Sequence, residues 1–156
     1  MSLIKTSDNE TRNIVAMLIM EVIGKPPEHL TETLDKMIKE IDEEKGAKVI
    51  EKKIHDPVPM KEKSEFFTSF AEIEVEVEEI LVLSQLMFKY MPAHVEIIHP
   101  ELIALTNNGW TEILSETIRK LHGYDEVARV IETQKKNLEE ELKKLKENNS
   151  KEESKE

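Results

Sequence analysis

Residues 13–23 carry the sequence NIVAMLIMEVI, an almost continuous apolar run that stops at Gly24. The run is rich in β-branched residues and is far shorter than the roughly 20 residues of a membrane-spanning helix. Such a composition is typical of a central strand that is buried on both faces. Pro26 and Pro27 follow, and proline suits the first turn of a helix. We therefore predict a buried strand that leads directly into a helix.

The segment after the two prolines has one apolar stripe. Its members recur at helical spacing: Leu30, Leu34, Met37, Ile38 and Ile41. Gly46 stands where the C-terminal cap of this helix belongs. The pattern predicts an amphipathic helix that lays its stripe on the first strand.

Two further strands are predicted after this helix. Residues 47–55 alternate loosely and carry lysines, as edge strands often do, and residues 56–63 form a two-proline loop. Residues 64–77 alternate strictly towards their end. The side chains predicted to face the helices are Ala71, Ile73, Val75 and Val77. Those predicted to face outward are Glu72, Glu74 and Glu76.

A second helix is predicted over residues 78–91, and a last strand over residues 93–99 after Pro92. The order strand, helix, strand, strand, helix, strand predicts an α+β fold with ferredoxin-like βαββαβ topology, in which two helices cover one face of a four-stranded antiparallel sheet. We expect this domain to span residues 12–99, after a flexible N-terminus at residues 1–11. The topology, with Gly24 in its first loop, resembles regulatory domains of ACT type, which implies a regulatory role and no particular ligand residue.

Residues 100–147 predict a helical extension that packs on the domain. We expect a short helix over residues 101–106, and a second helix that begins near Trp110 and closes at Gly123. Asp125 is then the N-cap of a last helix that runs to about residue 147.

The last helix is predicted to end as a protruding or coiled-coil segment. Leu138, Leu142 and Leu145 have coiled-coil spacing over about one heptad. The segment 148–156 contains no apolar residue, and we expect a disordered charged tail there.

Composition excludes several classes of function. The chain of 156 residues has a formal net charge of −11, which disfavours nucleic acid and anionic membranes as partners. It contains no cysteine, so thiolate metal sites and disulfides are impossible. The opening residues are polar, without the apolar core of a secretory signal, so we expect a cytoplasmic protein. Abundant Lys and Glu with little Gln resemble the composition of thermophile proteins.

The outward face of the sheet holds the one set of candidate metal ligands. Carboxylates and an imidazole on neighbouring strands are suitable ligands for a divalent cation. The candidates are Glu72, Glu74, Glu76, His94 and Glu96. The alternative is a solvated strand face whose acids have lysine partners such as Lys53. We favour the alternative and predict no bound metal and no cofactor.

The same face poses a packing problem, because the first strand is apolar where its neighbours are acidic. An apolar strip needs a cover, either the C-terminal helices or a second subunit. The second helix, apolar around most of its circumference, has the same requirement. We therefore expect a homodimer or a higher oligomer, and a protein partner for the C-terminal helix. The interaction residues predicted are Trp110, Leu138, Leu142 and Leu145.

No catalytic motif is present, and none of the five histidines falls in a metalloprotease or triad pattern. The sequence favours a non-enzymatic, self-associating structural or regulatory module that interacts with other proteins. The alternative is a small-molecule-binding protein or small enzyme with a pocket between the sheet and the C-terminal helices.

Overall fold

The computed structural model describes residues 10–61 and 65–153, with side chains up to residue 148. The chain divides into two compact units after Ile113. The first unit contains an α+β fold, and the second continues a long helix that begins in the first.

Five strands are present within the described residues. They are β1 (Ile14–Gly24), β2 (Ala47–Ile54), β3 (Val58–Pro59), β4 (Phe67–Val77) and β5 (His94–His99). The main path through the sheet is β2-β4-β1-β5, and every neighbouring pair is antiparallel. The helices α1 (Pro27–Asp42) and α2 (Ile80–Tyr90) provide the two crossovers. This topology confirms the predicted ferredoxin-like order.

One face of the sheet forms the core. Ala71 to Val77 pair in register with Ile14 to Met20, so alternate residues of β1 and β4 share each face. The buried side chains of these two strands are Ile14, Ala16, Leu18, Met20, Ala71, Ile73, Val75 and Val77. The predicted inward and outward sets of β4 are therefore confirmed. The prediction that β1 is buried on both faces is wrong, since its other face is only half-buried at Val15, Met17 and Ile19.

Helix α1 covers this core with the stripe that the sequence predicts. Leu30, Leu34, Ile38 and Ile41 are buried. Gly46 lies in the turn before β2 with a φ of +79°, a left-handed conformation that glycine adopts without steric penalty. Helix α2 adds Leu83, Leu86 and Tyr90 to the core. It begins two residues later than predicted, because Glu79 is its extended N-cap.

The loop predicted between β2 and β4 contributes a fifth strand. Val58 pairs with Thr68, and Pro59 pairs with Phe67, along the same edge of β4 that β2 occupies further on. His55 donates its backbone N–H to the carbonyl of Phe70, 2.9 Å away, between the two paired segments. The edge strand therefore bends and continues instead of ending at His55. Residues 62–64 of this predicted loop lie outside the described residues.

The segment after β5 differs from the prediction. Residues 101–106 contain no helix. Thr11 donates its backbone N–H to the carbonyl of Ala104 at 2.9 Å, and its hydroxyl accepts the N–H of Ala104 at 2.7 Å. Ile103 packs against the core cluster. Partners far away in sequence therefore hold this segment, which has no regular secondary structure.

A single helix, α3 (Asn107–Glu153), replaces the separate helices predicted from the sequence. It passes through Gly123 and Asp125 without a break, and it enters the segment 148–156, for which the sequence predicts disorder. Its 47 residues correspond to about 70 Å of α-helix. Among the described residues, no helix combines the length and the apolar character that a membrane span requires.

Candidate functional site

A long stripe of exposed apolar side chains lies along α3. Seven of its large apolar side chains recur at spacings of three, four or seven residues and are 41–60% exposed. They are Leu114, Leu121, Tyr124, Ile131, Leu138, Leu142 and Leu145. Soluble proteins rarely leave such a continuous apolar stripe in water. We call this stripe the α3 seam.

The seam follows a heptad pattern. When Leu114 is assigned to position a, Leu121, Ala128 and Leu142 are also a residues, and Tyr124, Ile131, Leu138 and Leu145 are d residues. Thr117 at d and Lys135 at a are the two polar interruptions. The pattern holds for 114–145, about 48 Å of helix. This is the sequence pattern of helices that associate through a and d residues.

Ion pairs along α3 flank the seam and stay within the helix. Arg129 lies 2.7 Å from Asp125, and Lys136 lies 3.6 Å from Glu132, both at i,i+4 spacing. Lys135 lies 3.8 Å from Glu139. Exposed pairs of this kind contribute only a few tenths of a kcal/mol each. They support the helix without accounting for its apolar stripe.

The start of α3 is fixed to the rest of the first unit. The Glu10 carboxylate accepts hydrogen bonds from the backbone N–H of Thr106 (3.3 Å) and from its hydroxyl. The Thr106 hydroxyl in turn accepts the N–H of Gly109 at 3.1 Å, as a helix-capping threonine does. Trp110 follows and is 54% exposed, and its role as an interaction residue stays a prediction.

The outer sheet face does not gather the candidate metal ligands. Glu72, Glu74 and Glu76 lie on β4, and His94 and Glu96 lie on β5. Strand β1 separates the two groups, and its side chains Ile19 and Met17 stand between them in the register. Neighbouring strands are about 4.8 Å apart, so the groups are about two strand spacings apart. Within residues 10–61 and 65–153, no cluster of three or more His, Asp or Glu residues has the geometry to hold a metal ion.

Two of the three outward carboxylates of β4 have basic partners in register on the edge strand, whereas Glu74 stands opposite Glu51. Lys48 stands opposite Glu76, and Lys53 stands opposite Glu72. The Nε2 atom of His55 also lies 3.2 Å from Glu72 Oε2, while its ring stacks on Phe70 with centroids 4.1 Å apart. This arrangement describes a solvated polar face with local charge pairing.

The nearest approach to a catalytic arrangement is Ser69 beside His55. The Ser69 hydroxyl donates to the backbone carbonyl of His55 at 2.7 Å, not to its ring. Ser69 is also buried, with a relative exposure of 1%. A nucleophilic serine requires a base on its hydroxyl and access to substrate. Ser69 therefore has a structural role in holding the bend of the edge strand.

Two ion pairs shift pKa values in the first unit. Hydrogen bonds from Lys39 (2.6 Å) and Lys52 (2.7 Å) lower the pKa of Asp35 from 3.8 to about 2. The contact with Lys52 connects α1 to β2. Two residues after the end of α1, hydrogen bonds from Lys89 and Tyr90 lower the pKa of Glu44. Both clusters are at the surface and tie elements of the fold together.

An open apolar groove of about 390 Å³ runs between α2 and the edge strand β5. It is lined by Ile80, Leu83, Ser84, Met87, Val95 and Ile97. The lining includes no titratable side chain, so the groove provides apolar surface and neither an acid nor a base. Its chemistry suits apolar contact, whereas general acid–base catalysis there has no supporting residue.

Comparison with protein families matches residues 15–156 to the MJ0538 family. The chain belongs to the MJ0538 family. The match includes the sheet and the whole of α3, so the long helix is part of what the family description covers. No curated protein and no solved structure matches the chain.

Three of the four predicted interaction residues, Leu138, Leu142 and Leu145, belong to the α3 seam and are 57–60% exposed, whereas the fourth, Trp110, precedes the seam. The residues of the seam before Leu138 were not among the predicted interaction residues. Steps of seven residues back from Leu142 lead to Leu121 and Leu114. The same steps back from Leu145 lead to Ile131 and Tyr124. The predicted helix end at Gly123 concealed this continuity.

Proposed function

We propose that this protein is a non-enzymatic, self-associating module whose contact is the α3 seam. The observation that carries the proposal is the heptad pattern of exposed apolar residues from Leu114 to Leu145 on one uninterrupted helix. A second copy has the same seam, and when the two seams pack together their apolar side chains are buried away from water. The module is then a structural or regulatory unit that displays two copies of the α+β fold.

The charged residues beside the α3 seam support a second copy of this chain as its binding partner. The positions that flank a and d carry both signs, with Lys120 and Lys146 as cations and Asp125, Glu132, Glu139 and Glu141 as anions. A mixed pattern of this kind can complement itself across a helix pair, whereas a strongly basic or acidic partner would meet like charges. We place this module in the cytoplasm, in keeping with a chain that uses no cysteine.

A role as a small-molecule-binding protein has less support. The groove beside β5 is apolar and open, and its lining includes no Glu or His side chain to orient a polar ligand. The shallow groove of about 200 Å³ on the outer sheet face is lined by Glu51, Glu72, Glu74 and Lys53 among others, yet it holds no metal cluster among the described residues.

Two adjacent residues of α3 provide a matched test. Ile131 is a d residue and Val130 is a c residue that points away from the seam, yet both are β-branched and 52–58% exposed in the single chain. We expect Ile131→Glu to abolish association, because each copy loses about 1.5–3 kcal/mol of apolar burial, or about 3–6 kcal/mol per dimer, which raises the dissociation constant roughly a hundredfold or more. Val130→Glu makes the same chemical change away from the contact and is expected to leave association intact.

The measurement is the molar mass of the full chain by light scattering or sedimentation over a range of concentrations. A monomeric wild type at every concentration would overturn the proposal. Equal effects of the two substitutions would show that the seam is not the contact. Far-UV circular dichroism of both variants establishes that each remains folded.

A further inference from the structure

We infer that two copies of α3 pair in parallel and in register. This inference rests on the proposed function and specifies its partner as a second copy of this chain in one orientation. The charges at positions e and g carry the inference, because they set the orientation of a coiled coil.

In the parallel arrangement each g residue faces the e residue five positions later on the other helix. Lys120 then faces Asp125 of the second copy, and Glu141 faces Lys146 of the second copy. By symmetry each contact occurs twice. The remaining pairs within the seam are apolar, or involve one charged residue at most. Parallel pairing therefore gives four opposite-charge contacts and no like-charge contact at the e and g positions.

The antiparallel arrangement that keeps the whole seam in contact gives a different set. It places Leu114 opposite Leu145 and Ala128 opposite Ile131. Lys120 then approaches Glu141, which is favourable, while Asp125 approaches Glu132, which is repulsive. Two favourable contacts are thus offset by two unfavourable ones, and the charge pattern favours the parallel arrangement.

Lys135 is the one position that opposes this orientation. In the parallel arrangement the two Lys135 side chains share an a layer, whereas antiparallel pairing places Lys135 opposite Tyr124. The ammonium group of Lys135 already lies 3.8 Å from Glu139 at the edge of the helix, so its charge does not need to enter the layer. A single lysine at position a is a known means of fixing register at some loss of stability.

The absence of cysteine makes disulfide trapping of the full chain direct. Leu145→Cys and Leu114→Cys are prepared as separate variants. Each variant alone, and a mixture of the two, is then equilibrated in a glutathione redox buffer. Parallel pairing predicts that each variant alone forms a disulfide-linked dimer and that the mixture forms no 114–145 disulfide. Antiparallel pairing predicts the reverse, with cross-linking only in the mixture.

The molar mass of the same variants under reducing conditions distinguishes a failure of the proposed self-association from a failure of the parallel orientation. A reduced monomer would overturn the proposed function together with the orientation. A reduced dimer that cross-links only in the mixture would overturn the parallel arrangement and leave self-association standing. A reduced dimer that cross-links in neither experiment would overturn the seam as the contact.

A charge reversal gives an independent test of orientation. Asp125→Lys places a second ammonium group opposite Lys120 of the other copy, twice in each parallel dimer, so we expect a severalfold weaker association. In the antiparallel dimer the same change creates an attraction to Glu132 and strengthens association, a result that would contradict the inference.

The substitution also removes the ion pair between Asp125 and Arg129 within the helix, so a rescue experiment is required. Mixing Asp125→Lys with Lys120→Glu restores both opposite-charge contacts only in a parallel heterodimer. We expect the mixture to associate more tightly than either variant alone. Failure of the mixture to exceed both variants would contradict the parallel arrangement.

Discussion

At the scale of single residues, two helical glycines of α3 have opposite surroundings. A Cβ atom at Gly109 would lie 2.6 Å from Glu10 Oε1 and 2.7 Å from Leu105 Cδ1, while one at Gly123 would meet nothing within 4 Å. We expect Gly109→Ala to lower the free energy of unfolding by about 1–3 kcal/mol, because it displaces the Glu10 carboxylate from Thr106. Gly123→Ala is expected to favour the helix by roughly 0.5–1 kcal/mol.

Urea unfolding of the two alanine variants, followed by circular dichroism, measures both effects. Gly123→Ala measures the gain in helix propensity without a clash. The difference between the two variants therefore gives the cost of the clash at Gly109. If Gly109→Ala is as stable as the wild type, the contact between Glu10 and the start of α3 is not formed in solution.

Asp35 provides a test of electrostatics at the same scale. Its pKa is lowered from 3.8 to about 2, chiefly by the hydrogen bond from Lys39 and next by that from Lys52. Because the folded pKa lies below the unfolded one, the stabilisation is complete above about pH 4 and is lost as the pH falls towards 2. We expect Asp35→Asn to lower stability at pH 5 and to have progressively less effect as the pH falls towards 2.

Carboxyl chemical shifts of Asp35 against pH provide the direct measurement. Lys39→Gln removes the larger cause and is expected to raise the Asp35 pKa more than Lys52→Gln does. An Asp35 that titrates near 3.8 in the wild type would contradict both ion pairs.

At the scale of elements, local periodicity sufficed for the sheet and its two covering helices. The alternation of Ala71 to Val77 identifies one buried face, and the stripe from Leu30 to Ile41 identifies a helix. Both could be predicted because each pattern is contained within a short stretch of the chain. The segment around Ala104 was mispredicted for the opposite reason. Its hydrogen bonds connect it to Thr11, 93 residues away, and no local pattern records such a partner.

Helix α3 shows how local signals can mislead in the other direction. Gly123 and Asp125 are ordinary helix-end signals, yet one glycine costs about 1 kcal/mol in a helix and no proline follows it. The helix therefore continues. The predicted break divided one heptad pattern into two shorter stripes, and this is why, of the seam residues, only Leu138, Leu142 and Leu145 were predicted to interact.

At the scale of the whole molecule, the two units differ in what stabilises them. The first has a core in which Leu18 and Leu34 are completely buried. From Leu114 onward the structure describes one helix, and its large apolar residues from Leu114 to Leu145 are all more than 40% exposed. Helices in proteins obtain most of their stability from packing of their apolar face. The proposed pairing of α3 would therefore stabilise the second unit, whereas the first unit has a core of its own.

This difference predicts amide hydrogen exchange that depends on concentration in one unit only. When the chain is diluted well below its dissociation constant, amides between Leu121 and Leu142 are expected to exchange rapidly, because the seam is exposed and the helix opens locally. At high concentration the same amides become protected. Amides of β1 and β4, such as those of Leu18 and Ile73, keep their protection at both concentrations and serve as the internal control. Equal protection of Leu121 to Leu142 at both concentrations would mean that a single chain stabilises the helix by itself.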